Sequence, residues 1–209
     1  MDRPKENKYA KARGFAQYLW EEWCIPAFYA LVLAIILRTF IIAPFRIPTG
    51  SMIPTLMIGD RLLVSKIHYG VKVPFTQFWA VSFGEPNRGD IIVFRFPYGE
   101  KKDFIKRLIA FGGERVEIRN KDVYVNGEMV VDPPMIKSIE YYNTSDPGWG
   151  YGWKDQEFTV PEGHYFVLGD NSQSSNDSRS WGFVPENYLI GKAVFIYWPP
   201  NRIRYLKGK

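Results

Sequence analysis

The stretch CIPAFYALVLAIILRTFIIA, from Cys24 to Ala43, divides this chain into two parts of different character. It is apolar apart from Arg38 and its neighbour Thr39. As a helix it would be about 30 Å long, which matches the hydrocarbon core of a bilayer. Trp20 and Trp23 lie where an interfacial aromatic belt would place them, and the arginine is near enough to the far end to reach the headgroups. The stretch therefore predicts a transmembrane helix.

Two other interpretations of this stretch are a buried helix of a soluble protein and a cleaved signal peptide. The basic start and apolar middle fit a signal peptide, but Ala43-Pro44-Phe45-Arg46 offers no small-x-small cleavage site. We therefore expect an uncleaved anchor at residues 23–43, after a basic segment at residues 1–22.

The charge pattern predicts the orientation of the anchor. Five basic residues crowd the first thirteen positions: Arg3, Lys5, Lys8, Lys11 and Arg13. Basic flanks of a membrane span stay on the cytoplasmic side. We therefore expect residues 1–22 in the cytoplasm and residues 44–209 on the outer face of the membrane.

Beyond the anchor the pattern changes to short apolar or alternating runs, which are typical of strands. Asn126-Gly127 is a hairpin turn signal, and Arg119 to Asp122 separates two of the runs. No long helix is evident after the anchor, so residues 44–209 predict a mainly β, antiparallel domain. The predicted strands are Arg61–Ile67, Asp90–Phe96, Val116–Ile118, Val123–Val125, His164–Leu168 and Ala193–Trp198.

A segment at about residues 133–157 differs from the rest of the β domain. It holds Tyr141-Tyr142, Pro147-Gly148-Trp149-Gly150 and Tyr151-Gly152-Trp153. It predicts an excursion from the core, either a peripheral hairpin or an aromatic surface that touches lipid or substrate.

Composition excludes several classes of function. The 209 residues carry a net charge of +5, but the β domain has no nucleic-acid motif and no basic stripe, so we expect no nucleic-acid partner. Cys24 is the only cysteine, so neither an internal disulfide nor a cysteine zinc cluster can form. We expect neither a metal nor another cofactor.

A candidate nucleophile lies shortly after the anchor, in Ile47-Pro48-Thr49-Gly50-Ser51-Met52-Ile53-Pro54-Thr55-Leu56. The two prolines fix φ on either side of Ser51, and Gly50 allows the backbone to approach a ligand closely. An extended chain spans about 3.3–3.6 Å per residue, so Ser51 lies at most roughly 20 Å from Phe45. An ordinary polar turn is the alternative interpretation.

A serine nucleophile needs a base, and the candidate is Lys106. His68 and His164 are the only histidines, and neither lies in a recognisable catalytic context. In a strand, Lys106 would share a face with Phe104 and Leu108, and burial there would lower its pKa toward neutrality. A partly exposed lysine on a half-buried strand remains an alternative on spacing alone.

A third cluster, Gly169 to Gly182, follows a predicted strand and is rich in short polar side chains that hold irregular loops. Its acidic spacing does not match a calcium-binding EF-hand. Asp177 and Arg179 could form a salt bridge that orders the loop.

With these motifs in this order, the chain resembles the bacterial type I signal peptidases over most of its length. Ser-Met-x-Pro-Thr-Leu is present as Ser51–Leu56, and Gly-Asp-x-Leu-Leu-Val-x-Lys-x-x-Tyr-Gly as Gly59–Gly70. Lys106-Arg107 and Gly-Asp-Asn…Asp-Ser-Arg-x-Trp-Gly, as Gly169–Gly182, complete the set. The sequence departs from the family pattern in two places. Ser172-Gln173-Ser174 replace the Arg-Asp-Asn that usually follows Gly-Asp-Asn in the last motif. Gly113-Glu114 replaces the Gly-Asp that commonly ends the Lys-Arg motif.

The resemblance implies roles for these residues. Ser51 would be the nucleophile and Lys106 the general base. Thr49 takes the position of the oxyanion-hole hydroxyl, beside the backbone N–H of Ser51. Ser175 matches the residue that orients the lysine amine.

The resemblance also implies supporting and substrate-binding residues. Asp177 and Arg179 match a supporting ion pair. The walls of pockets for small side chains would be formed by Phe45, Ile47, Leu62, Val93 and Ile105, with Met52, Leu56 and Phe104 nearby.

By this resemblance the protein would be a single-pass serine endopeptidase that cuts signal peptides from preproteins after Ala-x-Ala, on the outer face of the bacterial cytoplasmic membrane. Its partners would be preproteins and the lipid bilayer, with the secretion translocon as a further candidate. An autoproteolytic repressor would share the chemistry, but a membrane span occupies the place of its DNA-binding region. A non-catalytic anchored β domain that displays the aromatic excursion is the other alternative.

Overall fold

The computed structural model describes residues 14–15, 17–73, 76, 79–99, 102–143 and 156–206. The chain forms two compact units, which meet between Ile41 and Ile42. About half of the aromatic excursion, residues 144–155, lies outside the described residues, so the interpretation of its surface stays a prediction.

The first unit contains one helix, Gln17–Ile41, which is long and apolar enough to cross a membrane. It is α-helical over Ile25–Ile36, with π-helical turns at Trp20–Cys24 and Leu37–Ile41. Its apolar side chains are not covered by the rest of the protein, which fits a helix that is buried in a membrane instead of in a protein core.

The helix ends two residues before the end of the predicted span. Ile42 and Ala43 belong instead to the first strand, where they pair with Ser65 and Val64. Pro44 explains the change, because it has no N–H for a helix and disfavours the α conformation in the residue before it.

Among its described residues the second unit has fourteen strands, and every pairing between them is antiparallel. In chain order they are β1 Ile42–Arg46, β2 Arg61–Ser65, β3 Gly70–Lys72, β4 Trp79–Ser82, β5 Ile91–Arg95, β6 Asp103–Phe111, β7 Arg115–Arg119, β8 Asp122–Val125, β9 Glu128–Met129, β10 Glu157–Thr159, β11 His164–Leu168, β12 Val184–Pro185, β13 Leu189–Trp198 and β14 Arg204–Tyr205. The α-helices of this unit in the described residues are two single turns, Pro134–Lys137 and Ser178–Trp181. The prediction of a mainly β, antiparallel domain is confirmed.

The strands form three sheets in the described part of the chain. The largest has the order β1-β2-β13-β5-β6-β11-β12, with β14 paired to β13. The second has the order β10-β7-β8-β9, and β3 pairs with β4 in a small third sheet. The two larger sheets are antiparallel throughout, as the sequence predicts for this domain.

Tight turns join the strands of the second sheet. Asn120 and Lys121 link β7 to β8 with φ values of 52° and 70°, and Asn126-Gly127 link β8 to β9 with 53° and 85°. Positive φ at both central residues is the geometry that matches strand twist in a two-residue hairpin. Both predicted turn positions therefore connect neighbouring strands.

Strand β13 begins at Leu189, four residues before the predicted start at Ala193. The added residues include Gly191, where an added Cβ would lie 2.3 Å from the Ser65 carbonyl oxygen. The strand lies between β2 and β5, and this close approach requires glycine. Because Gly191 adds no apolar side chain, the apolar pattern did not indicate the first four residues of this strand.

The largest sheet positions the loop that carries Ser51. The loop joins β1 to β2, and its base is closed by two backbone hydrogen bonds: Ile47 N–H donates to the Asp60 carbonyl and Gly59 N–H to the Ile47 carbonyl, each at 2.9 Å. Met52 and Leu56 are fully buried beneath it. Burying each such side chain stabilises the loop by about 1.5–3 kcal/mol.

Candidate active site

Ser51 lies in the β1–β2 loop and is only 7% exposed. The next residue, Met52, is buried, and its carbonyl accepts a hydrogen bond from Leu56 N–H at 2.8 Å. The buried side chains of Met52 and Leu56 therefore fix the backbone that carries Ser51. The Ser51 hydroxyl faces a nearby strand.

That strand is β6, which carries Lys106. The lysine is 4% exposed, and its Nζ lies 2.6 Å from Ser51 Oγ. It stands opposite Ile92 of β5, and the ring of Phe104 lies 5.8 Å from the amine. The structure thus brings together a hydroxyl and an amine that are 55 residues apart in the chain.

The surroundings of Lys106 favour its neutral form. Burial lowers the pKa of its amine from 10.5 to about 8; Asp177 and Asp170 oppose this change and Arg179 adds to it. A buried amine loses the hydration that stabilises its charge, which is why burial dominates. At such a pKa, an amine can accept a proton near neutral pH.

The segment after β11 packs directly against the serine loop. An added Cβ at Gly169 would lie 2.5 Å from the Ser51 carbonyl oxygen and 2.1 Å from Ser175 Oγ, so only glycine fits. Ser175 Oγ is buried and, within the described residues, has no hydrogen-bond partner. The structure therefore places Ser175 beside the backbone of the nucleophile, with its hydroxyl available.

Asp177 and Arg179 form an ion pair in this segment, with Arg179 Nη2 2.8 Å from Asp177 Oδ2. The carboxylate also accepts a hydrogen bond from Gly169 N–H at 2.9 Å. The guanidinium donates to Ser172 Oγ at 2.6 Å and to the carbonyl oxygen of Tyr142. The pair therefore ties the whole segment together.

A second buried ion pair was missed by sequence reasoning. Arg107 donates to Asp170 twice, from Nε at 2.8 Å and from Nη2 at 2.5 Å, and both side chains are fully buried. Asp170 also accepts a hydrogen bond from Thr55 Oγ1. All three residues lie in the quoted motifs, but their spacing does not show that they meet.

Thr49 lies in the same loop as the nucleophile, two residues before it, and is exposed. No described residue forms a hydrogen bond to its hydroxyl. The hydroxyl is therefore available to a ligand.

Seven of the eight predicted substrate-binding residues lie in one apolar cluster: Phe45, Ile47, Met52, Leu56, Leu62, Val93 and Ile105. Phe104 belongs to the neighbouring cluster and stacks on Phe96, with ring centroids 4.6 Å apart. Of the eight, Phe45, Phe104 and Ile105 are partly exposed, and the others are buried beneath them. The accessible apolar surface is therefore small.

Neither histidine is bonded to the candidate dyad. His68 Nε2 lies 3.4 Å from Lys192 Nζ, and His164 Nδ1 lies 2.8 Å from the Glu162 carbonyl oxygen. In the described ranges, no group of three or more His, Cys, Asp or Glu side chains could hold a metal ion.

Comparison with known proteins identifies the family. The family model described as "Signal peptidase, peptidase S26" matches residues 20–198. Signal peptidase I of Pseudomonas aeruginosa is 34% identical over an alignment of length 215, and the match covers 86% of this chain and 73% of that protein. Probable signal peptidase I-1 of Synechocystis is 40% identical over 180 residues, which cover 83% of this chain and 80% of that protein.

Among solved structures, a signal peptidase I from Enterococcus faecalis is 34% identical to this chain. The match covers 53% of this chain and 98% of that one, with a TM-score of 0.40. On the match of the family model and the coverage of the Pseudomonas and Synechocystis relatives, the chain belongs to the signal peptidase I family, peptidase S26.

Proposed function

We propose that this chain is a membrane-anchored serine endopeptidase that removes signal peptides from exported preproteins with a Ser–Lys dyad. The observation that carries the proposal is the 2.6 Å separation of Ser51 Oγ and Lys106 Nζ, both buried. A hydroxyl and an amine at this distance can exchange a proton directly. Because the pKa of Lys106 is about 8, part of the enzyme holds the amine neutral at pH 7.

The first half of the reaction forms an acyl-enzyme. Neutral Lys106 accepts the proton of the Ser51 hydroxyl as Oγ attacks the scissile carbonyl. The tetrahedral oxyanion accepts hydrogen bonds from the Ser51 N–H and the Thr49 hydroxyl. The C–N bond then breaks, and the lysine ammonium donates its proton to the departing amine, which is the new N-terminus of the mature protein.

The second half reverses these roles with water. Lys106 removes a proton from a water molecule, whose oxygen attacks the ester carbonyl. The ester bond to Ser51 breaks, the lysine returns the proton to Oγ, and the signal peptide leaves as a carboxylic acid that loses its proton to solvent. No other reactant is required.

The support residues keep the dyad in place. The Ser175 hydroxyl is buried and makes no hydrogen bond to Lys106 in the described structure, and its proposed role is to orient the lysine amine during the reaction. The Asp177–Arg179 pair holds the backbone from which Ser175 projects.

Selection of small side chains follows from the shallow apolar surface. Phe45, Phe104 and Ile105 are partly exposed, while the residues behind them are packed and cannot recede. A larger side chain at the first or third position before the cut would clash with this surface, whereas alanine fits. The substrates are therefore preproteins with an Ala-x-Ala type of sequence.

The short chain between the anchor and Ser51 supports chemistry near the membrane surface. Ser51 lies ten steps along the chain from Ile41, the end of the anchor. An extended chain of that length spans at most about 35 Å. With residues 1–22 in the cytoplasm, an anchor that ends at Ile41 and a catalytic domain from Ile42 onward outside, the enzyme meets preproteins at the bilayer as they leave a secretion translocon.

A cleavage assay tests the proposal. The full chain in detergent is incubated with a preprotein that carries Ala-x-Ala before its cleavage site, beside Ser51→Ala and Lys106→Ala. Wild type should release the mature protein, and each variant should lose nearly all activity, because nucleophile and base act as a unit. Cleavage by Ser51→Ala at the wild-type rate would exclude a serine mechanism. No cleavage by wild type would favour the non-catalytic alternative.

A further inference from the structure

Asn171 makes two hydrogen bonds to the backbone on either side of the nucleophile's Cα. Its side-chain Nδ2 donates to the Gly50 carbonyl at 3.0 Å, and its backbone N–H donates to the Ser51 carbonyl at 3.0 Å. The opposite orientation of the side-chain amide would place two carbonyl oxygens against each other, so the nitrogen is the atom that faces Gly50.

The first of these bonds fixes a group that the proposed reaction uses. The Gly50 carbonyl and the Ser51 N–H belong to one planar trans peptide, so they point in opposite directions. A donor that holds the carbonyl on one side therefore holds the N–H toward the other side. The same hydrogen bond polarises the peptide and strengthens the N–H as a donor.

Asn171 is itself fixed to the strand that carries the base. The preceding residue, Asp170, is held by Arg107, which directly follows Lys106 in β6. The Asn171 carbonyl accepts a hydrogen bond from Ser174 N–H at 3.0 Å, which closes a short 3-10 turn. The position of the side-chain amide is thus defined relative to the dyad.

We propose that Asn171 is a positioning residue, which aims the Ser51 N–H at the oxyanion of the tetrahedral intermediate. This inference rests on the proposed serine peptidase function. Its side chain lies at the rim of the packed core and is only partly buried, so packing is a small part of its contribution. The hydrogen bond from the Asn171 backbone N–H to the Ser51 carbonyl remains when the Asn171 side chain is replaced. A substitution at Asn171 therefore tests the orientation of the Gly50–Ser51 peptide while the loop stays attached.

Two variants and a matched control test the proposal. Asn171→Ala removes the side-chain donor and leaves the Gly50 carbonyl with the Ile53 N–H alone, which donates to it at 3.2 Å. Asn171→Asp replaces the amide with an isosteric carboxylate that repels the Gly50 carbonyl. Removal of a direct oxyanion donor costs about 10²–10³ in turnover, so we expect loss of its positioning to lower kcat by about 10- to 100-fold. KM should change less than about threefold. Gln173→Ala, which removes an exposed amide in the same turn, should keep wild-type kcat.

A pair of inhibitors separates positioning from general damage. A peptide boronate that forms a tetrahedral adduct on Ser51 carries an oxyanion-like oxygen, whereas an uncleavable peptide of the same sequence mimics the ground state. Asn171→Ala should weaken the boronate by about the factor lost in kcat/KM and the uncleavable peptide less than about twofold. The pH at which activity reaches half its maximum should not move, because the base is unchanged.

The outcomes are distinguishable from failure of the proposed function. If wild type cleaves the preprotein, Ser51→Ala does not, and Asn171→Ala keeps kcat within twofold of wild type, the positioning role is wrong and the peptidase function stands. Equal weakening of both inhibitors would also overturn the positioning role. If wild type does not cleave at all, both proposals are overturned.

Discussion

Cleavage activity should rise with pH as the amine of Lys106 loses its proton. Because burial lowers the pKa of this amine from 10.5 to about 8, the neutral fraction at pH 7 rises from about 3 in 10⁴ to about one tenth, a gain of about 300-fold. At pH 9 about nine tenths of the lysine is neutral. If the neutral amine is the base, kcat/KM should therefore rise about tenfold between pH 7 and pH 9.

A histidine base predicts a different profile. An imidazole with a pKa of about 6.5 is already mostly neutral at pH 7, so kcat/KM would rise only about 1.3-fold up to pH 9. Burial and the nearby Lys192 lower the pKa of His68, which would flatten the rise further.

The assay is the initial rate of preprotein cleavage at low substrate concentration from pH 6 to pH 10, in detergent. The same profile is recorded for a variant in which His68 and His164 are both replaced. We expect the acidic limb to remain near pH 8 in both proteins. A rise of less than twofold above pH 7, or loss of the limb in the histidine variant while the fold is retained, would refute the lysine-base mechanism.

Three further results are expected. Thr49→Val should lower turnover by about 10²–10³ with the fold intact and Thr49→Ser should be mild, since only the first loses the oxyanion hydroxyl; wild-type turnover for the valine variant would exclude this role. Asp170→Ala should lower the free energy of unfolding by about 3–5 kcal/mol in denaturant titration, because it leaves a buried guanidinium unpaired; a change below about 1 kcal/mol would contradict that reasoning. In a protein with Cys24 replaced, a membrane-impermeant thiol reagent on intact cells should label Asn201→Cys, at an exposed position of the β domain, and not Asn7→Cys, and the reverse pattern would invert the proposed topology.

The sequence predicted the candidate dyad only in part. Local chemistry indicated a serine in a stiffened loop and a lysine in an apolar run. It did not exclude an ordinary polar turn at Ser51 or a partly exposed lysine at Lys106. Pairing Ser51 with Lys106 depended on the order of four motifs. The structure adds the 2.6 Å distance, which no periodicity could predict across 55 residues of chain.

The contacts that sequence reasoning missed are all long-range. Arg107 meets Asp170 across 63 residues, and Asn171 meets Gly50 across 121 residues. Strand periodicity predicts which face a side chain takes, but the partner depends on sheet order. That β13 lies between β2 and β5 follows from packing of the whole domain.

Local features of the fold were easier to predict. The apolar run predicted the helix, and the Asn126-Gly127 turn predicted a hairpin that the structure contains. His164–Leu168 matches its predicted bounds because it is a continuous apolar run that ends at a glycine. Strand β1 carries Pro44, which interrupts its apolar run, and has no turn motif that would indicate a strand. Its strand conformation depends on pairing with the neighbouring strand β2.

The replacement of one lysine by arginine tests the central claim most directly. Lys106→Arg retains a long cationic side chain but cannot supply a neutral base, because guanidinium does not lose its proton in proteins. Lys72→Arg is the matched control, since burial also lowers the pKa of Lys72 to about 8, but its amine donates to the Asn187 and Leu189 carbonyls instead of facing Ser51. We predict that preprotein cleavage falls by more than about a hundredfold in Lys106→Arg and stays near wild type in Lys72→Arg. Retention of more than about a tenth of the wild-type rate by Lys106→Arg would contradict the Ser–Lys mechanism.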